Sequence, residues 1–132
     1  MNVFRKIIEK IYKDKANQVN IIENFINNVT GKYDLVMAFA IIHHMVGQYK
    51  SMDAAFDKID SMATDIIILE IPHGDDVLLC NWKKIHGNEL YKLFDSIEST
   101  RKYLCERYKL LKEIKIDYNS SDINRTCFVL KK

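Results

Sequence analysis

The apolar positions change period several times along the chain, and each change marks an element. Phe4, Ile7, Ile8 and Ile11 recur at helical spacing and predict an amphipathic helix over roughly residues 2–15. Val19 to Ile22 is short and rich in β-branched residues, which suits a strand. Asn24 to Lys32 is a polar connection. Asp34 to Ile42 is nearly all apolar without alternation, as expected of a strand covered on both faces. It runs into His43 and His44. Ser51 can cap a helix whose apolar face is Met52, Ala55, Phe56, Ile59 and Met62. Asp65 to Ile71 is a second continuous apolar run, broken by Pro72-His73-Gly74-Asp75-Asp76. From Gly87 to Glu106 the positions Leu90, Leu93, Phe94, Ile97, Arg101 and Leu104 again keep helical spacing. Leu110 to Asp117 and Thr126 to Leu130 read as strands joined by the turn-rich DYNSSDINR, and so as an antiparallel pair.

Helices alternating with doubly covered strands predict an α/β domain with a mainly parallel sheet, an antiparallel last strand and helices on both faces. Ligands in such sheets bind beyond the carboxyl ends of the strands. Two of those ends carry polar clusters here. His43-His44 follows one strand, and Glu70 to Asp76 closes the other.

Composition narrows the function classes. The chain has 132 residues, 48% hydrophobic and 29% charged, enough apolar material for one domain with a real core. The net charge of +2 lacks the basic bias of a dedicated nucleic-acid module. Cys80, Cys105 and Cys127 are odd in number and form no CxxC, which fits reduced thiols in a cytoplasmic protein. No apolar run approaches the ~20 residues of a membrane helix, and the N-terminus does not read as a signal peptide.

Two stretches carry a family resemblance. YDLVMAFAIIHHM followed by a helix, and then DIIILEIP with an acidic turn, resemble class I S-adenosylmethionine-dependent methyltransferases. The match is to the subgroup whose fourth strand reads D-L-V-L-A-L-A-L-I-H-H-L and whose fifth ends in I-I-E-F-V-P-K-x-D. RKIIEKIYKDKANQVNIIENF is similar to the preceding helix and third strand. FDSIESTRKYL and NRTCFVLKK are similar to the final helix and last strand. The resemblance implies a partial Rossmann-like sheet, S-adenosylmethionine as cofactor and methyl transfer to an acceptor that the sequence does not identify. It covers nearly all of residues 1–132 but only the later part of the family domain, so it implies an N-terminally truncated domain, incomplete by itself.

The family's first strand, its Gly-rich D-x-G-x-G loop and the acid ending its second strand have no counterpart in this sequence, which contains no G-x-G. The family strand order 3-2-1-4-5-7-6 then leaves the strand at Asp34–Ile42 with an open side, an invitation to association. Three outcomes stay open. Val19–Ile22 pairs there, a homodimer or another partner chain fills the gap, or the chain folds poorly. A non-catalytic interaction or dimerisation subunit is therefore the alternative to an enzyme.

By the same resemblance, Ala38, Phe39 and Ala40 pass the cofactor, and His43 and His44 face the cofactor–acceptor pocket as catalytic candidates. An imidazole there can act as general base or orient the acceptor; equally, one of the two can cap backbone groups at the turn. Asn24 falls where the family binds the adenine amino group, and Phe25 can stack on adenine. A turn residue and a core aromatic are the plainer readings of those two. Glu70, His73, Asp75 and Asp76 fall on the substrate side, or else form a solvated turn in which Asp75 or Asp76 caps a helix. His43, His44, His73 and Cys80 are metal-ligand types, but their spacing matches no standard motif, so no metal is expected. Trp82, Lys83 and Lys84 read as a solvated segment with one aromatic anchor.

Overall fold

The computed structural model describes residues 28–132. The helix expected over 2–15, the strand expected at Val19–Ile22, and the site candidates Asn24 and Phe25 lie outside the described residues.

Strand β1, Tyr33–Ala38, is shorter than the apolar run that announces it. The chain leaves extended geometry at Ala40, which adopts a left-handed φ of 52°, and Ile42 already opens helix α1, Ile42–Tyr49. The expected strand through Ile42 is thus corrected: its last residues are a turn and a helix start. Lys50, also left-handed, ends α1. Ser51 then caps α2, Met52–Met62, its Oγ accepting from the Ala54 N–H at 3.1 Å. Ala55, Phe56, Ile59 and Met62 are buried along this helix, as the spacing predicts.

Strand β2, Ala63–Pro72, follows directly. Helix α3, Val77–His86, is foreshadowed in the sequence only by the cap weighed for Asp75 or Asp76, and it contains Trp82, Lys83 and Lys84, expected as a solvated segment. The continuous helix expected from Gly87 to Glu106 is two pieces, a 3-10 segment at Glu89–Asp95 and helix α4 at Ile97–Arg107. Ser96 makes the break, its Oγ accepting the Ser99 N–H while the Ser99 and Thr100 hydroxyls donate to the Leu93 carbonyl. Short hydroxyl side chains compete in this way for backbone groups that a helix would use. Strands β3, Lys109–Ile116, and β4, Arg125–Lys131, form the expected antiparallel pair.

The sheet order is β1-β2-β4-β3. β1 and β2 are parallel, with Val36 opposite Ile67 and Ala38 opposite Leu69. β4 runs against both of its neighbours, so three strands share one direction and only the last in sequence is reversed. Placing β4 between β2 and β3 turns that single reversal into two antiparallel pairings. Ile67, Leu69, Ile71, Phe128 and Leu130 face a common core with Ile42, Met45, Phe56, Ile59, Phe94 and Leu104 from the helices and the 3-10 segment. The alternate positions Ile68, Cys127 and Val129 are half-buried, and Ile114 is exposed. Among the described residues, no helix is long and apolar enough to cross a membrane.

Candidate functional site

The carboxyl ends of β1 and β2 lie side by side, so the two polar clusters share one edge of the sheet. At the end of β1, Ala38 is buried and Phe39 is 49% exposed. His43 and His44 sit in the first turn of α1 rather than on the strand. Successive helix positions diverge by about 100°, and the pair is divided accordingly, with His43 fully buried and His44 exposed.

The His43 ring lies 4.3 Å from the His44 ring and 6.3 Å from Trp82. Among the described residues neither of its nitrogens has a hydrogen-bond partner. Burial drives its pKa down to about 4, with His44 and Arg125 pushing the same way and Asp76 opposing. It is therefore neutral at physiological pH. Burial and the Arg125 charge also lower the His44 pKa. Trp82 meets His44 edge-on at 4.7 Å and stacks on His86 at 4.9 Å. Tyr91 Oη donates to the His43 carbonyl at 3.1 Å. Gly47 on α1 permits this crowding, since a Cβ there would stand 2.7 Å from Tyr91 Oη and 2.9 Å from the Trp82 ring.

At the end of β2 the chain turns through Gly74, whose left-handed φ of 61° suits glycine. Glu70 and Asp76 are buried, and one cation bridges them. Arg125 Nη1 donates to Glu70 Oε1 at 2.8 Å, and Arg125 Nε donates to Asp76 Oδ2 at 3.1 Å. Tyr118 Oη adds a bond to Glu70 at 2.7 Å, and its ring lies against the guanidinium. Asp76 also accepts the N–H groups of Leu78, Leu79 and Asn124, capping α3 and tying it to β4. The helix-cap role weighed for Asp75 or Asp76 thus falls to Asp76. His73 is buried and bonded through Nε2 to Thr126 Oγ1 at 3.0 Å. Burial and Lys115 lower its pKa. Asp75 alone of this cluster presents an exposed carboxylate. It borders an open polar cleft of about 640 Å³, which Lys115, Asp117, Tyr118, Ser121 and Asn124 also line.

The structure therefore brings Glu70 and Asp76 together through Arg125, whose charge also reaches His43 and His44, and engages both buried carboxylates in holding the fold. Among the described residues no group of three or more His, Cys, Asp or Glu side chains gathers to hold a metal ion. Arg125, Tyr118 and Trp82 were not singled out as functional in the sequence. The Arg125–Glu70 contact spans 55 positions, and nothing local marks it.

The cofactor implied by the resemblance can be tested against the surface beside β1. A groove of about 320 Å³ runs there, lined by Tyr33, Leu35, Met37, Phe39, Ile59 and Met62 among others. Adenosylmethionine carries an ammonium, a carboxylate, a sulfonium and ribose hydroxyls, all of which need polar partners when bound. This apolar lining supplies none that is charged. This groove by itself does not fit the group.

No family model matches the sequence, and no curated protein sequence matches it. Solved structures do match the fold, among them two methyltransferases. One is magnesium protoporphyrin IX methyltransferase (ChlM) from Synechocystis PCC 6803 with bound SAH. It is 17% identical at a TM-score of 0.59, over 97% of this chain and 57% of that one. Another is the N-methyltransferase NodS from Bradyrhizobium japonicum WM9. It is 13% identical at a TM-score of 0.58, over 96% of this chain and 68% of that one. The chain thus spans little more than half the length of ChlM.

Proposed function

We propose that this chain is the later part of an S-adenosylmethionine-dependent methyltransferase and that its activity class is methyl transfer. The observation that supports this reading best is the strand order β1-β2-β4-β3, with only β4 reversed and the histidine and carboxylate clusters on one carboxyl edge. The groups that hold the cofactor's charged ends come, on this reading, from outside the described residues. His44 is the better candidate of the pair to meet an acceptor, because it is exposed and His43 is sealed in the core. A backbone-capping role for His43 has no support among the described residues, where neither of its nitrogens has a partner. Isothermal titration of the folded chain with S-adenosylmethionine tests the reading. Saturable heat supports binding by the chain itself. No heat at millimolar ligand, with circular dichroism showing the protein folded, rules that out.

A second reading, a non-catalytic interaction subunit, is favoured by a separate observation. β1 pairs on one side with β2, and among the described residues nothing pairs with its other edge. That edge displays large apolar side chains, which association would bury.

A further inference from the structure

β1 breaks the usual rules for a sheet edge. Natural edge strands are blunted by lysines, prolines or bulges that discourage pairing with another chain. The segment YDLVMA has no lysine and no proline, the register irregularity between Tyr33 and Leu35 puts its extra residue on β2, and its one charge, Asp34, accepts a hydrogen bond from Thr64 Oγ1 at 2.9 Å. Tyr33, Leu35, Met37 and Phe39 are 37%, 48%, 54% and 49% exposed. Tyr33, Leu35 and Met37 alternate along β1 and so form a row on one face of it, and Phe39 is the next alternate position, one residue past its end.

That row is self-complementary. When two copies of β1 are set antiparallel about an axis through Val36, Leu35 faces Met37 of the second copy. Tyr33 faces Phe39 of the second copy, and the symmetric pairs repeat both contacts. Asp34 falls opposite Ala38, away from any like charge. Moving the axis to Asp34 would set the two Asp34 carboxylates against each other. Moving it to Leu35 would leave Phe39 opposite Gly31. Only the register centred on Val36 pairs all four exposed apolar side chains with one another, and such cross-strand pairs are the stabilising unit of a sheet.

We propose that this chain forms a twofold homodimer through antiparallel pairing of β1 with β1 of a second copy, centred on Val36, making one continuous sheet. The proposal rests on the second reading above and does not depend on cofactor binding. The titration and the assembly measurement therefore fail independently.

Sedimentation of the full chain across a concentration series up to roughly 0.1 mM is expected to show the mass doubling from 15.5 kDa. Met37→Lys sets a charge against Leu35 at two symmetric positions and is expected to weaken the dimer at least roughly tenfold. Adding Leu35→Glu to Met37→Lys is expected to restore it. In this register each introduced carboxylate meets an introduced ammonium of the other copy. Circular dichroism confirms folding of both variants. Amide exchange of the wild-type chain needs no variant: exchange of residues 34–38 is expected to slow as concentration rises. A chain that stays monomeric, a dimer indifferent to Met37→Lys, a double variant that does not recover, or concentration-independent exchange each overturns the proposal.

Discussion

His43 should make this protein sensitive to mild acid, and the size of the effect follows from its surroundings. The ring is fully buried, both nitrogens lack partners among the described residues, the His44 and Trp82 rings lie beside it, and the charges of Arg125 and Asp76 reach it. Protonation inside this setting is opposed by burial first, then by the His44 and Arg125 charges, and is aided only by Asp76. The folded pKa is about 4, against 6.5 in the unfolded chain. As pH falls, the unfolded state therefore takes the proton first. Stability is intact above about pH 7, declines as pH passes below 6.5, and the full penalty is reached only below about 4. One such site costs about 2 kcal/mol at about pH 5. His44 and His73 are shifted in the same direction and add to the slope. Urea unfolding of the wild type and of His43→Leu at about pH 7.5 and about pH 5 measures the contribution. The variant removes both unpartnered nitrogens, and it should be at least as stable at the higher pH and lose less on acidification. Parallel pH dependence in the two proteins would refute the reasoning, because it would mean that the His43 pKa is the same folded and unfolded.

Further expectations concern the groups that assemble the same edge. Arg125→Met leaves the buried Glu70 and Asp76 carboxylates without their cation and should cost about 3–5 kcal/mol, read from the urea midpoint. Combining it with Glu70→Gln and Asp76→Asn should recover part of that loss, whereas an unchanged midpoint for Arg125→Met would show the clamp to be unimportant. Gly47→Ala forces a methyl against Tyr91 Oη, Trp82 and His86, and a fall in thermal midpoint worth about 1–3 kcal/mol is expected. Ser51→Ala removes the side-chain cap of α2 and should cost about 1 kcal/mol by thermal unfolding.

The elements legible in the sequence are those whose signal is local. α2 announces itself by a capping serine and an apolar face at helical spacing, and those residues are the buried ones. β2 and the β3–β4 pair are likewise marked by apolar runs bounded by turn residues. α1 had no forewarning in the sequence and α3 had only the cap weighed for Asp75 or Asp76, for different reasons. α1 continues the apolar run of β1, so nothing in hydrophobicity separates strand from helix, and the boundary is set by the turn at Ala40. α3 buries only Leu79 among its own residues, while Val77, Leu78 and Ile85 are exposed, so it offers no clear apolar stripe. Hydroxyl competition at Ser96, Ser99 and Thr100 split a helix that the apolar spacing presents as continuous.

The same division runs through the site. By itself the sequence determined the α/β class, the direction of the strands and the two polar clusters that end them, because period and turn residues are written within a few positions. Only the tertiary structure decided what those clusters do. His43 and His44 are neighbours in sequence, yet helical rotation seals one in the core and leaves the other in solvent. Glu70 and Asp76 read as a polar turn until Arg125, brought in by the antiparallel pairing of β4 with β2, makes them a buried ion pair. Partnership across 55 positions is a property of the packed sheet, and no local pattern encodes it.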